Sequence, residues 1–138
     1  MRGIVPDKII WPIGRNGRED DAERWEAQLR KGCLEMAVLA ALAPDRSYGL
    51  EIIRTLEEHS NLALSEGTVY PILNRLRQDG MVNAVWVESD SGHPRKYYSL
   101  TLRGRERAIR MAQVWLEFSA GLSALIEPLV PARKENRK

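Results

Sequence analysis

The sequence predicts a mainly α-helical fold with a small two-stranded antiparallel β wing and a long C-terminal helix. Residues 65–104 have the pattern of a short helix with one apolar stripe, a glycine stop, a strand, a turn-rich tip and a second strand. Residues 101–129 then repeat apolar side chains every seven residues. A helix followed directly by a two-stranded ribbon is the layout of a winged helix-turn-helix, whose helix enters a DNA major groove while the ribbon reaches along the backbone.

The helix that begins near residue 65, called here the recognition helix, has its apolar residues on one face. They follow the i, i+3, i+4, i+7 spacing of a buried stripe: Val69, Ile72, Leu73 and Leu76. Ser65 is a suitable N-cap and Gly80 a suitable residue after the helix. Pro71 leaves two starts open. With Ser65 as the cap, the proline removes one backbone hydrogen bond, whereas with Thr68 as the cap it falls in the first turn at little cost.

The opposite face of the recognition helix is polar. It consists of Tyr70, Asn74 and Gln78, flanked by Thr68, Arg75 and Arg77. Asparagine and glutamine pair with adenine through two hydrogen bonds, and arginine pairs with guanine in the same way. This face therefore suits base edges and phosphates. An ordinary solvated helix face has the same pattern, and the helix alone does not separate the two interpretations.

The predicted ribbon adds cations to that face. Residues 82–87 alternate as a strand covered in part on both sides, and residues 89–94 are rich in turn formers. Gly92 would let the wing turn closely, and Arg95 and Lys96 at the start of the return strand would bind phosphates. Tyr97 is expected to support the wing or the core. The alternative is an ordinary hairpin whose charges protect an edge strand from aggregation.

Two helices are expected before the recognition helix. The first runs from about Asp21 to Leu42, with apolar residues at helical spacing: Trp25, Leu29, Cys33, Met36, Ala37 and Ala40. Ser47 would cap the second, which runs to about His59 with Leu50, Ile53 and Leu56 inward. Residues 1–21 mix glycine and proline with apolar residues and are interpreted as an N-terminal arm. This arm either touches a minor groove through Arg15 and Arg18, or is a disordered tail or packs on a neighbouring subunit.

The apolar pattern of the last helix indicates that it packs against another helix. Thr101 can cap it and Pro128 ends it, and between them an a/d pattern of apolar residues covers about three heptads: Ala108, Met111, Trp115, Phe118, Leu122, Leu125 and Leu129. A lone winged helix has little surface to cover such a stripe, so we expect a second copy to do so, in a homodimer. The alternative is a helix folded back on the first helix. The expected organisation is an arm (1–21), a winged-helix domain (22–102), a dimerisation helix (103–129) and a basic tail (130–138).

Composition excludes several other classes of protein. The 138 residues suit one domain, and a net charge of +2 means that a DNA footprint must come from local clustering. One cysteine, expected to be a buried small hydrophobe, excludes an internal disulfide and fits a reducing cytoplasm. No apolar run approaches a membrane span, no metal-ligand spacing or phosphate loop is present, and no cofactor is expected. An enzyme is disfavoured because no nucleophile, base and orienting residue converge.

The motifs together resemble the PadR family of bacterial transcriptional regulators. They are GTVYPILNRL (67–76), DGMV (79–82), Trp86 and RKYYSLTLRG (95–104), with YGLEI (48–52) upstream, and the resemblance covers roughly residues 29–125. Val69 stands where leucine is commoner, and Arg77 where glutamate is frequent. The resemblance implies a repressor of its own or a neighbouring gene. It implies DNA contacts from the following residues: Ser65, Thr68, Tyr70, Asn74, Arg75, Gly92, Arg95 and Lys96.

A two-fold dimer of such domains would read a palindromic operator with half-sites roughly one DNA turn apart. Family members with one short C-terminal helix include multidrug sensors, in which a tryptophan stacks aromatic ligands between subunits. Trp115 matches that place, and Met111, Phe118 and Leu122 would share the effector and dimer interface. An interface anchor without a ligand is the alternative for Trp115. The alternative for the whole chain is a winged helix that docks proteins and does not bind DNA.

Overall fold

The computed structural model describes residues 15–59, 65–90 and 92–131. The chain order is helix, short strand, two helices, two strands and a last helix: α1 Arg15–Leu42, β1 Ser47–Tyr48, α2 Gly49–Glu58, α3 Glu66–Gln78, β2 Val82–Val87, β3 Arg95–Leu100 and α4 Leu102–Ile126. A single 3-10 turn, Glu127–Leu129, follows α4. The mainly helical winged-helix architecture predicted from the sequence is confirmed.

The sheet has three antiparallel strands in the order β1-β3-β2, so the prediction of two strands was wrong. The added strand is only two residues long, and it pairs Ser47 with Tyr98 and Tyr48 with Tyr97. Ser47 is therefore a strand residue, and the N-cap of α2 is Tyr48, whose backbone N–H donates to the Glu51 carboxylate at 3.3 Å. This short strand ties the start of α2 to the wing.

Helix α1 begins at Arg15, so residues 15–21, predicted as part of the arm, are helical. Residues 1–14 of the predicted arm and residues 132–138 of the predicted tail lie outside the described residues. The core takes a different stripe of α1 from the one expected: Leu34, Val38, Leu39 and Leu42. Trp25 is 60% exposed, because the stripe that contains it faces away from α2 and α3.

The recognition helix α3 agrees with its pattern. Its predicted stripe, Val69, Ile72, Leu73 and Leu76, is buried against α1, α2 and the sheet. In α2, Ile53 and Leu56 are buried as predicted with Ile52, but Leu50 is 41% exposed and that prediction was wrong. Leu50 lies in the first turn of α2, where Gly49 and Ile52 are the buried residues.

The start of α3 decides between the two caps. Ser65 has an extended backbone and is the N-cap, and its carbonyl accepts from the backbone N–H groups of Thr68 and Val69 at 3.0 Å each. Pro71 therefore lies inside the helix, where it removes one backbone hydrogen bond. Its position is exposed, so water can satisfy the carbonyl that loses its partner.

A compact junction fixes α4 against the rest of the domain. Gly80 takes a positive φ of 79° after α3, as its predicted role requires. The Thr101 hydroxyl donates to the Gly80 carbonyl at 2.7 Å and accepts from the Gly104 N–H at 2.9 Å, which confirms it as the cap of α4. The Thr101 N–H donates to the Met81 carbonyl at 3.0 Å. A Cβ on Gly104 would overlap that same carbonyl oxygen.

Helix α4 runs antiparallel to α1 along its first half. Glu35 of α1 pairs with Arg107 at 2.7 Å, while Leu29 and Phe118 lie together further along. Every described residue from Ala120 to Pro131 is exposed. Pro128 lies in the closing 3-10 turn, where the sequence expects the helix to end.

Gly104→Ala is expected to lower the free energy of unfolding by about 1–3 kcal/mol, because the new methyl group would press on the Met81 carbonyl, which two hydrogen bonds from Thr101 hold in place. Gly121→Ala is the matched control. Its Cβ would meet nothing within 4 Å, and alanine favours a helix by about 0.5–1 kcal/mol over glycine. Urea denaturation at one protein concentration measures both. Equal stability of the two variants would contradict the role of the junction.

Candidate nucleic-acid interface

A groove of about 500 Å³ lies between the first turns of α2, the polar face of α3 and the wing. Of the residues predicted to contact DNA, it brings together four: Tyr70, Asn74, Arg95 and Lys96. Asn74 is exposed on α3 and presents its amide to solvent. The groove thus joins a recognition helix and a basic wing in one concave surface, as the sequence predicts.

The groove also contains residues that sequence reasoning missed: Tyr48, Arg54 and Trp86. Arg54 is on α2, whose sequence pattern indicates only which residues are buried. Tyr48 reaches the groove through β1, a strand too short to be recognised from a pattern. Trp86 was expected to be partly covered and is instead 66% exposed, directly opposite Lys96 in the β2–β3 ladder. Trp86 could have been found from the register of the hairpin, because that register makes residues 86 and 96 a cross-strand pair.

The cations that line the groove have no carboxylate partners among the described residues. Among the described residues, no carboxylate oxygen lies within 4.0 Å of the charged atoms of Arg54, Arg95 or Lys96. The Arg95 guanidinium lies 4.5 Å from the centroid of the Tyr48 ring, and the Lys96 ammonium lies 5.7 Å from the centroid of the Trp86 ring. These cations keep their charge and their N–H donors for an external anion.

Tyr70 has a packing role in addition to the predicted contact. Its phenol ring lies against Gly49 so closely that a Cβ at residue 49 would overlap it. Burial raises the pKa of the Tyr70 phenol, and the Glu66 carboxylate raises it further. Burial also raises the pKa of the Tyr98 phenol. The neighbouring Tyr70 raises that pKa further, and the positive charge of Arg77 lowers it. The contact with Gly49 means that Tyr70 holds α3 against the start of α2. A contact between Tyr70 and DNA stays a prediction.

Arg75 points away from the groove. Its guanidinium lies 3.5 Å from the Glu35 carboxylate of α1, and the other oxygen of that carboxylate pairs with Arg107 of α4. Ser65 and Thr68 stand at the start of α3 with their hydroxyls 3.3 Å apart, outside the groove lining. Gly92 has a positive φ of 90° at the wing tip, which supports the expected tight turn.

A second cavity, of about 430 Å³, lies between α1 and α4. Its wall brings together three of the predicted effector residues, Met111, Trp115 and Phe118, while Leu122 lies outside the lining. The α1 side consists of Leu29, Cys33 and Met36. Cys33 is thus partly exposed on a cavity wall, so the prediction of a buried cysteine was wrong. These three residues belong to the α1 stripe that was expected in the core.

Within residues 15–59, 65–90 and 92–131, no three histidine, cysteine or acidic side chains converge in a way that could hold a metal ion. No helix in this part of the chain has the length and hydropathy required to cross a membrane.

Comparison with known proteins agrees with the geometry. The model of the transcriptional regulator PadR-like family matches residues 38–110, more than half of the chain. A PadR-like transcriptional regulator from Bacillus cereus is 31% identical, with a TM-score of 0.66 over 72% of this chain and 96% of that one. A PadR family regulator from Eggerthella lenta is 29% identical, with a TM-score of 0.70 over 80% of this chain and 96% of that one.

A longer relative is the Escherichia coli transcriptional regulator YqjI, which is 28% identical over 122 residues. The match includes 87% of this chain but only 52% of YqjI, so this chain spans about half the length of that relative. These similarities confirm the resemblance deduced from the motifs and indicate a role in transcription regulation rather than catalysis. With a matching family model and full-length structural relatives, the chain belongs to the PadR-like family of transcriptional regulators.

Proposed function

We propose that this protein is a homodimeric, sequence-specific DNA-binding repressor that acts on a palindromic operator and is released by an aromatic small molecule. The observation that supports it best is the groove between α2, α3 and the wing. There, Asn74 of the recognition helix faces solvent beside three cations that have no acidic partner among the described residues. Such a surface suits base edges and a phosphate backbone at once.

The dimer is supported by the uncovered apolar face of α4. Phe118, Leu122, Leu125 and Leu129 are all exposed. Contiguous exposed apolar surface of this kind marks an interaction site. In a two-fold dimer formed through α4, each copy would cover this face of the other, and the two recognition helices would meet one duplex.

The effector is supported by the cavity between α1 and α4. Its lining is almost entirely apolar, with aromatic rings from Trp115 and Phe118 and thioethers from two methionines. A planar aromatic molecule fits such a lining. Because the cavity adjoins the proposed dimer face, a ligand that prefers one spacing of the subunits would shift the fit of the two recognition helices to DNA.

Arg95→Ala combined with Lys96→Ala is expected to weaken binding to the protein's own promoter DNA and to reduce the log–log salt slope by about two, since each lost phosphate contact removes about one released counterion. Arg103→Ala with Arg105→Ala is the matched control, because it removes the same charge outside the groove. Fluorescence anisotropy over a salt series measures both. Equal binding by the wing variant and the parent protein would defeat the wing role, and failure of the parent to bind any promoter fragment would favour the protein-docking alternative.

Leu122→Glu is expected to weaken dimerisation on the order of 100-fold or more, because an uncompensated buried charge costs about 3–5 kcal/mol. Leu116→Glu provides the control on another face of α4, since Leu116 is also exposed. Sedimentation velocity over a concentration series gives the dissociation constants. A parent protein that sediments only as single chains would contradict the dimer.

Trp115→Ala is expected to weaken binding of planar aromatic cations or phenolic acids about ten-fold, through loss of ring stacking and apolar contact. Trp25→Ala is the control, because Trp25 is exposed on α1 outside the cavity. Calorimetric titration avoids dependence on the fluorescence of the residue that is removed. Unchanged affinity in Trp115→Ala would leave that tryptophan as an interface anchor only.

A further inference from the structure

Aromatic rings, and not carboxylates, hold the two cations of the wing. The Arg95 guanidinium lies 4.5 Å from the centroid of the Tyr48 ring. The Lys96 ammonium lies between two rings, 5.7 Å from the centroid of Trp86 and 5.8 Å from that of Tyr98. Among the described residues, neither cation has an acidic group within 4.0 Å.

The sheet register produces both contacts. Trp86 of β2 is directly opposite Lys96 of β3, so their side chains emerge on the same face of the sheet. Tyr48 of β1 is opposite Tyr97, and Arg95 precedes Tyr97 by two residues, so Arg95 lies diagonal to Tyr48 on the other face of the sheet from Lys96. The Tyr48 and Tyr97 rings pack edge to face at 5.4 Å, so the Tyr48 ring is itself held in place.

A ring and a carboxylate have different effects on a cation. A carboxylate would occupy the N–H donors and cancel the charge, so a phosphate would have to displace it. An aromatic face attracts the cation through its quadrupole and leaves the charge and the N–H donors available. Long side chains also lose rotamer freedom when they bind, and a cation already held by a ring loses less of it.

We propose that Tyr48 and Trp86 are positioning residues for DNA binding: their rings hold Arg95 and Lys96, which emerge on opposite faces of the wing and both line the groove, in the arrangement that the phosphate backbone meets. This inference rests on the proposed function, since it specifies how the wing reaches DNA. Tyr48 belongs to β1 and Trp86 to β2, the two strands that flank β3 in the sheet, and both residues line the groove.

A core role does not account for Trp86. Two thirds of its surface is exposed, so replacing the ring removes little buried area. Tyr98, by contrast, is 3% exposed and belongs to the core, and it is therefore left unchanged in the test. Tyr48 is half-buried, and Tyr48→Phe retains its ring as a conservative variant.

Two double-mutant cycles test the proposal on a duplex of the protein's own promoter region. One combines Tyr48→Leu with Arg95→Ala, and the other combines Trp86→Leu with Lys96→Ala. Each leucine variant is expected to weaken binding about two- to five-fold at every salt concentration with an unchanged salt slope, because the cation remains. In the background that lacks the cation, the same leucine substitution should have no further effect. Tyr48→Phe should bind like the parent protein.

Additive effects in both cycles would overturn the proposal, and so would a reduced salt slope in the leucine variants or a Tyr48→Phe variant as weak as Tyr48→Leu. The proposed function would stand in these cases, provided the parent protein binds the duplex with steep salt dependence. A parent that fails to bind would end both proposals.

A measurement on the unmodified protein covers the case in which a leucine variant fails to fold. Stacking under a ring face shifts side-chain methylene protons upfield in the NMR spectrum. We expect such shifts for Arg95 and Lys96 in the absence of DNA. Resonances at ordinary positions for both residues would overturn the proposal without any substitution.

Discussion

The carbonyl group of Met81 is the point on which the arrangement of the helices depends. It follows α3 directly, accepts hydrogen bonds from the Thr101 N–H and hydroxyl, and lies against Gly104 with no room for a side chain. The end of the recognition helix, the base of the wing and the first turn of α4 therefore meet within a few residues. Because this contact is made by the backbone, the direction in which α4 leaves the domain is fixed relative to α3. In a two-fold dimer formed through α4, that direction sets the separation of the two recognition helices.

A single carboxylate joins the same elements from the other side. Glu35 of α1 pairs with Arg75 of α3 and Arg107 of α4, one residue from the cavity lining at Met36. Exposed ion pairs of this kind are worth little individually, on the order of 0–1 kcal/mol. Their importance here is geometric, because they orient Arg75 towards α1 instead of the groove. The cations that line the groove consequently come from α2 and the wing and not from α3.

The sequence was sufficient to predict the elements whose residue pattern has only one structural interpretation. The stripe of α3, the glycine after it, the Thr101 cap and the wing cations agree with expectation because each follows from local spacing. Helix α1 has two apolar stripes, and local spacing cannot say which one meets the core, so the Trp25 stripe was assigned to the interior. Strand β1 is too short for any period, and its existence depends on pairing with Tyr97 and Tyr98 far along the chain. Leu50 followed the α2 pattern but is exposed, because Gly49 and Ile52 are the residues of that first turn that pack.

The candidate site divides in the same way. Asn74, Arg95 and Lys96 could be found from residue type and position, whereas Tyr48, Arg54 and Trp86 enter the groove only through tertiary packing. The positions of Tyr70 and Arg75 depend on neighbours, Gly49 and Glu35, that are distant in sequence and are invisible to a helix pattern.

The last two turns of α4, residues 120–126, have a further consequence for how such a regulator behaves in a cell. A helical segment whose side chains all face solvent gains nothing from tertiary packing, and short helices are marginal on their own in water. Under the proposed dimer, this segment gains its tertiary contacts only on assembly, so the stability of the end of α4 and association share one equilibrium. The amount of competent protein would then rise faster than linearly with the number of chains synthesised. A regulator built in this way responds sharply to its own dosage.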